Sequence, residues 1–146
     1  DGSVSGDVLH ARVLDAVRAT DGGAMAPADV LDAGCGLGGT TFYLQARLGG
    51  RYTGITLSDT QCARATTEAA RRGLAAVCRF AVRDYDADLS DLLPTGVDLV
   101  VAIESLAHAP DPAATIARLA TRLRPGGRLL IVDDVPRDTL AADDPD

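Results

Sequence analysis

The sequence predicts an α/β domain built on a doubly wound, mostly parallel sheet of five strands, with helices on both faces. From residue 30 onward, short apolar segments alternate with segments of helical period. The segment 97–103 is apolar at nearly every position, as expected of a strand that is covered on both faces. Gly49 and Gly73 follow two of the helical segments, where glycine commonly ends a helix. Strands joined by helices in this way are expected to pair in parallel through right-handed crossovers.

The N-terminal half contains three predicted helices and two predicted strands. They are a helix at 7–19, a strand at 30–33, a helix at 40–48, a strand at 51–57 and a helix at about 58–72. The first helix rests on apolar residues near one helical face, namely Val8, Leu9, Val13, Leu14 and Val17. Ser58 or Asp59 is expected to cap the third helix, because both residue types accept hydrogen bonds from a free helix start.

The C-terminal half continues the alternation of strands and helices. It contains a strand at 76–82, an acidic loop with one helical turn at 84–95, a strand at 97–103, a helix at about 112–123, a turn at 124–127 and a strand at 128–132. Asp111 and Pro112 open the fourth helix, since proline is favoured at the first helical position. The acidic segment that follows, 133–146, is expected to be frayed.

The chain of 146 residues has the length of a single domain. Three parts are expected, namely a helix and loop at 1–28, the core at 29–135 and an acidic tail at 136–146. The net charge of −7 disfavours nucleic acid as a partner, and no apolar run is long enough for a membrane helix. All basic residues are arginine, a composition typical of GC-rich bacterial genomes.

The three cysteines are Cys35, Cys62 and Cys78, and they match neither a zinc pattern nor a disulfide framework. The sequence therefore predicts a reducing, cytoplasmic location and no bound metal.

The strongest local motif is a strand, a glycine loop and a helix over 30–40. Gly34, Gly36 and Gly39 match the G-x-G-x-x-G pattern, which lets an anionic ligand approach bare backbone at a helix start. A tight turn without any ligand is the alternative. A nicotinamide-dependent oxidoreductase would want an acid closing the second strand, where Thr56 stands instead, so NAD is the less favoured ligand.

The order of motifs over 7–135 resembles the class I, Rossmann-like family of S-adenosylmethionine-dependent methyltransferases. Within that family it is most similar to small-molecule enzymes such as natural-product sugar O-methyltransferases, with cyclopropane-fatty-acid and tocopherol-type enzymes as more distant relatives. The resemblance implies S-adenosyl-L-methionine as the cofactor. The residues implied to bind it are Asp32, Gly34, Cys35, Gly36, Thr56, Leu57, Gln61, Asp84, Tyr85, Ile103 and Glu104.

The resemblance also implies a role for each of these segments. The backbone of the glycine loop is expected to contact the methionine part, and Asp32 to lie near its ammonium group. Thr56 and Gln61 would contact the ribose, with Leu57 against the adenine. Asp84 would accept a hydrogen bond from the adenine amino group, with Tyr85 beside the ring. The backbone of residues 103–104 would face the cofactor. His10 is expected at the surface or in a cofactor lid.

Residues 104–111 match a run that the family often shows after its fourth strand. By that resemblance His108 is the candidate base, since a neutral imidazole can take a proton near pH 7. Asp133 would work with it as the second candidate catalytic residue, with Asp134 beside it. The alternative is that the histidine is not the base and that Asp133 only caps or bridges loops.

Complete family members usually add two further strands after the fifth, which this sequence lacks. We expect a truncated domain of a longer protein; a minimal member and a core completed by dimerisation are the alternatives. An uncovered edge of the fifth strand would favour a homodimer. The expected function is O-methylation of a small molecule in a bacterial biosynthetic pathway. A non-catalytic or incomplete cofactor-binding domain of a larger protein is the alternative, and the chemical class of the acceptor stays open.

Overall fold

The computed structural model describes residues 2–19 and 27–133, apart from the side chains of residues 2–5 and 108. Its elements are α1 (Gly2–Ala19), β1 (Asp29–Ala33), α2 (Gly39–Leu48), β2 (Arg51–Thr56), α3 (Asp59–Arg71), β3 (Cys78–Val82), β4 (Val97–Ile103), a short 3-10 helix (Leu106–His108), α4 (Pro112–Ala120) and β5 (Leu123–Val132). The predicted tail beyond residue 133 lies outside the described residues. Within the described ranges, no helix combines the length and the apolar character needed to cross a bilayer.

The five strands form one sheet in the order β3-β2-β1-β4-β5, and every neighbouring pair is parallel. The chain adds β2 and β3 on one side of β1, and then crosses over to add β4 and β5 on the other side. The strand order therefore reverses between β1 and β4, which is where ligands bind in sheets of this kind. The predicted fold class is confirmed.

Two hydrophobic clusters cover the two faces of the sheet. One cluster joins α1, α2 and α3 to the sheet through residues such as Val13, Leu44 and Leu99. The other joins α4 to the sheet through residues such as Leu119 and Val100. Neighbouring residues of β4 alternate between the clusters, because successive side chains of a strand point to opposite faces. This burial on both faces explains why the strand is apolar throughout.

The predicted caps of α3 and α4 are present. The Ser58 hydroxyl accepts a hydrogen bond from the Gln61 N–H at 3.2 Å. The Asp111 carboxylate accepts one from the Ala114 N–H at 3.0 Å, with Pro112 at the start of the helix. Both contacts satisfy N–H groups that have no partner inside the helix.

The structure corrects the predicted boundary between α4 and β5. The helix ends at Ala120, before the predicted Leu123, and β5 already begins at Leu123. Residues 124–127 lie within this strand as an irregularity, because Val97 pairs with Leu123 whereas Leu99 pairs with Arg128. The Arg124 guanidinium holds the irregularity by donating to the Thr95 carbonyl at 3.0 Å and to Asp98 at 3.1 Å.

Other boundaries shift by fewer residues, except that α1 begins at Gly2, five residues before its predicted start. β3 begins at Cys78 instead of residue 76, because the N–H groups of Val77 and Cys78 both donate to the Leu74 carbonyl in a turn. In the acidic loop, the structure shows two hydrogen-bonded turns. The Ala87 N–H donates to the Asp84 carbonyl at 3.1 Å, and the Leu93 N–H donates to the Leu89 carbonyl at 2.9 Å.

Candidate functional site

Two adjoining clefts lie at the carboxyl ends of β1, β2 and β4, beside the reversal in strand order. The first, here called the α1 cleft, has a volume of about 290 Å³ and lies between α1 and the glycine loop. The second, the β2 cleft, has a volume of about 340 Å³ and lies above the end of β2. Gly34, Gly36 and Glu104 line both clefts. The two clefts therefore meet at the glycine loop and at the end of β4.

The predicted cofactor residues are brought together here. All of them except Asp84 line one or both clefts. The residues predicted for the methionine half of the cofactor lie in the α1 cleft, and those predicted for the ribose and adenine lie in the β2 cleft, with the exception of Asp84. A further cleft of about 310 Å³ at the amino ends of the strands, beside Asp29 and Arg51, contains no predicted site residue.

The glycine loop is held between β2 and β4 by close contacts. The N–H groups of Gly34 and Cys35 both donate to the Ile55 carbonyl, at 2.9 and 2.8 Å. Gly34 has a left-handed φ of +85°, and a β-carbon there would stand 2.4 Å from the Ser105 β-carbon. Gly34 is therefore required by the approach of β4, whether or not a ligand is bound.

Gly36 has a different environment. Its φ of +54° is left-handed, but a β-carbon at this position would meet nothing within 4 Å. Since Gly36 lines both clefts, its bare backbone leaves room for a ligand at their junction. This open backbone fits the predicted cofactor, because the residues predicted to bind it lie in both clefts.

Asp32 contributes a buried carboxylate to the α1 cleft. The residue is 1% exposed, and it accepts a hydrogen bond from the Thr41 hydroxyl at 2.7 Å. Burial raises the pKa of Asp32 to about 6, although the hydrogen bonds from Thr41 oppose the rise. A carboxylate buried in this way gains from a cationic partner, and an ammonium group would supply one. Thr41 is not among the predicted site residues. Its hydroxyl in the first turn of α2 could have indicated a hydrogen-bond partner for Asp32.

His10, which is expected at the surface or in a cofactor lid, lines the α1 cleft, although it is not among the predicted cofactor ligands. Its ring stacks on Tyr43 of α2 with the centroids 5.1 Å apart. Burial lowers the pKa of His10, although nearby Asp7 opposes the shift. The sequence did contain a signal, because His10 shares a helical face with Val13, Leu14 and Val17 of the core.

In the β2 cleft, the two predicted ribose ligands contact each other. The Thr56 hydroxyl donates to Oε1 of Gln61 at 2.8 Å, across the end of β2 and the first turn of α3. The Ser58 N–H donates to the same hydroxyl at 3.3 Å, so the helix cap also positions the pair. Leu57 lies beside them with 70% of its surface exposed, and this apolar surface would be covered by a flat ring.

Tyr85 and Asp84 follow β3 but lie in different places. The Tyr85 hydroxyl donates to the Ser105 carbonyl at 3.1 Å, and its ring lines the β2 cleft. The Asp84 carboxylate is exposed and accepts from the Asp86 N–H at 2.9 Å, outside both clefts. The contact of Asp84 with the adenine amino group therefore stays a prediction.

Asp133 caps the short 3-10 helix that carries His108. Its Oδ2 accepts hydrogen bonds from the N–H groups of Leu106 at 2.7 Å and Ala107 at 3.0 Å. The side chain of His108 and the whole of Asp134 lie outside the described parts of the structure. The catalytic pair therefore stays a prediction, and the observed contacts of Asp133 agree with the alternative in which it caps a loop.

Comparison with known proteins identifies the family. Residues 31–129 match the profile of a methyltransferase domain. The chain is 39% identical to the chloroplastic tocopherol O-methyltransferase of Arabidopsis thaliana over 116 residues, which are 79% of this chain and 32% of that protein.

Two solved structures show the same core. A SAM-dependent methyltransferase from Thiobacillus denitrificans, in complex with S-adenosyl-L-homocysteine, is 31% identical with a TM-score of 0.67. The alignment covers 84% of this chain and 46% of that one. The cyclase SpnF is 30% identical with a TM-score of 0.69, over 82% of this chain and 43% of that one.

The chain thus spans between 32% and 46% of the length of these relatives. The residues matched by the family profile include the end of β1, the glycine loop and most of β5. On its sequence match and its fold, the chain belongs to the class I, Rossmann-like family of S-adenosylmethionine-dependent methyltransferases.

Proposed function

We propose that this chain binds S-adenosyl-L-methionine across the α1 and β2 clefts and transfers its methyl group to a hydroxyl of a small molecule. The observation that carries the proposal is the junction of the two clefts at Gly36 and Glu104, with the residues predicted for each half of the cofactor on either side. Residues 29–135 would form the cofactor core, and residues 1–28 would supply the helix that closes the α1 cleft.

The side chains of each cleft suit one half of the cofactor. In the α1 cleft, the Asp32 carboxylate would attract the ammonium group of the methionine part. In the β2 cleft, Thr56 and Gln61 offer a hydroxyl and an amide to the ribose hydroxyls. Leu57 and Tyr85 offer apolar and aromatic surface to the adenine ring.

When bound, the cofactor supplies a sulfonium methyl group that is already activated for transfer. The chain's own residues would then hold the acceptor in line and remove its proton. His108 would take the hydroxyl proton onto its imidazole. Asp133 would act at least by fixing the turn on which His108 lies.

Oxygen as the acceptor is supported by the tocopherol O-methyltransferase among the relatives. A bacterial biosynthetic pathway and a cytoplasmic location are supported by composition, since arginine supplies every basic residue and the cysteines form no disulfide framework.

β5 is an edge strand of the described sheet, and we propose that a homodimer forms along it. Sedimentation of the purified chain at several concentrations tests the dimer.

A second candidate function is that of a cofactor-binding domain that transfers no methyl group. Two observations favour it. The cyclase SpnF shares the fold, so the fold alone does not require methyl transfer. The contacts of Asp133 with backbone N–H groups account for that residue without catalysis.

Calorimetric titration of the chain with S-adenosylmethionine and S-adenosylhomocysteine, with NAD as control, tests the cofactor. We expect both sulfur compounds to bind and NAD not to bind. Transfer of an isotope-labelled methyl group to a sugar, a phenol and a primary amine then tests the reaction. Binding without transfer to any hydroxyl would favour the second function, and binding of NAD alone would overturn both.

A further inference from the structure

We infer that the Glu104 carboxylate selects the positively charged form of the cofactor, so that the chain holds S-adenosylmethionine more tightly than its neutral product. The inference rests on the proposed function, and it assigns to the side chain of Glu104 a role beyond the backbone contact expected from the sequence.

The position of Glu104 carries the inference. Of the three residues that line both clefts, Glu104 is the only one with a side chain, since the others are Gly34 and Gly36. In the cofactor, the sulfur atom joins the amino-acid half to the ribose half. If the two halves occupy the two clefts, the sulfur passes the junction where Glu104 lies.

The backbone at Glu104 supports a role for its side chain. Its φ of +49° is left-handed, and it is the only non-glycine residue with this conformation in the described ranges. The Glu104 N–H donates to the Val132 carbonyl at 2.7 Å, which fixes the conformation at the ends of β4 and β5. Glycine adopts such a conformation without strain, so the strained glutamate indicates that the side chain is needed there.

The charges around the junction favour a cation. Among the described residues, nothing hydrogen-bonds or ion-pairs with the exposed Glu104 carboxylate. Arg83 lines the β2 cleft, but its guanidinium binds Asp91 at 3.0 Å and the Val82 carbonyl at 3.0 Å. The buried Asp32 adds a second acidic group in the α1 cleft. A ligand that brings a positive charge to the junction is therefore attracted.

The two forms of the cofactor provide a matched comparison, because they differ only in the methyl group and the charge that it confers on sulfur. A carboxylate near the sulfur would stabilise the sulfonium and have little effect on the neutral thioether. After transfer, the loss of the charge would weaken the hold on the product and favour its release.

The test is the dissociation constant of the wild-type chain and of Glu104→Gln for three ligands, measured by calorimetry. The ligands are S-adenosylmethionine, its stable analogue sinefungin, which carries an ammonium group near the same position, and S-adenosylhomocysteine. We expect Glu104→Gln to weaken binding of both cationic ligands by about fivefold to tenfold, the scale of one partly solvated charge pair. Binding of S-adenosylhomocysteine should change less than twofold.

Two further variants test whether the effect depends on the negative charge at position 104. Glu104→Asp keeps the charge and should retain the preference for the cationic ligands. Asp15→Asn removes one exposed negative charge on α1 outside both clefts, and it should leave all three constants unchanged. Equal weakening of all three ligands in Glu104→Gln, or no change, would overturn the inference while leaving the proposed function in place. If the wild-type chain binds none of the three, the proposed function fails and the inference with it.

Discussion

The Ser105 hydroxyl donates a hydrogen bond to the Ala33 carbonyl at 2.8 Å, and this contact joins the carboxyl ends of β4 and β1. The same serine stands where a side chain on Gly34 would have to go. Ser105, in the loop after β4, therefore requires glycine at position 34 after β1. Both residues lie at the reversal in strand order, where the clefts meet.

The glycines of the loop should differ in their response to alanine. Gly34→Ala combines a left-handed φ with a clash at Ser105, and it should lower the free energy of unfolding by about 2–4 kcal/mol. Gly36→Ala meets no atom within 4 Å and should lower it by about 1–2 kcal/mol through its φ alone. Urea unfolding measures both. An equal effect of the two variants would contradict the assignment of Gly34 to the contact between strands.

Asp32 should make the stability of the ligand-free chain depend on pH. Its pKa is raised by burial to about 6 in the folded chain, above the ordinary value of 3.8. The folded state therefore binds more protons between these values, and the contribution of Asp32 becomes less favourable as pH rises from about 4 to 6. The loss is of the order of 2–3 kcal/mol at neutral pH.

The variant Asp32→Asn isolates that contribution from those of the other carboxylates. It should unfold at a higher temperature than the wild type at pH 7.5 and at a similar temperature at pH 4, and it should bind S-adenosylmethionine more weakly. Identical melting temperatures of the two chains at pH 7.5 would show that contacts in the folded chain offset the cost of burying the charged carboxylate. Scanning calorimetry at the two pH values makes the comparison.

Thr56→Val should reduce cofactor affinity, and it should lower the free energy of unfolding by about 1–2 kcal/mol because Gln61 and the Ser58 N–H lose a partner. The substitution keeps the shape of the side chain but removes the hydroxyl that contacts Gln61. We expect binding to weaken about fivefold to tenfold, the equivalent of one hydrogen bond. Thr53→Val is the matched control on the same strand, because the Thr53 hydroxyl accepts from Arg79 Nε outside both clefts. If both variants bind the cofactor like the wild type, Thr56 is not a ligand.

His108→Ala and Asp133→Ala separate catalysis from support of the turn. If His108 is the base, His108→Ala should lower kcat by about 10²–10⁴ with an unchanged dissociation constant for the cofactor. Asp133→Ala should lower the free energy of unfolding by about 1 kcal/mol, because two N–H groups lose their acceptor. Turnover that persists in His108→Ala would assign proton removal to another group.

Both variants are best measured with the hydroxyl acceptor that gives the highest rate in the transfer assay. The dependence of the rate on pH adds a second readout, since a histidine base loses activity once its imidazole is protonated.

The fold followed from the sequence because its determinants are local. Apolar runs, helix caps and terminal glycines each depend on a few neighbouring residues, and Ser58 and Asp111 cap as expected. The irregularity in β5 was not predictable in the same way. It depends on how Val97 and Leu99 pair with a distant segment, and no local pattern distinguishes it from a turn before a strand.

The candidate site likewise combines residues that local motifs predict with contacts that they do not predict. The residues of the two clefts came from motifs that follow each strand, where a parallel sheet collects its ligands. The partner of Asp32 and the stacking of His10 on Tyr43 depend on how α1 and α2 pack together. These contacts join segments that are separate in sequence, so the motifs did not indicate them.

The hydrogen bonds from Gly34 and Cys35 to the Ile55 carbonyl affect the entropic cost of binding a ligand. Both amide protons are already engaged within the protein, so the loop is organised before any ligand arrives. Binding then requires little ordering of this segment, and its entropic cost is small. These amides should exchange slowly with deuterated solvent in the ligand-free chain, and the cofactor should slow them little further.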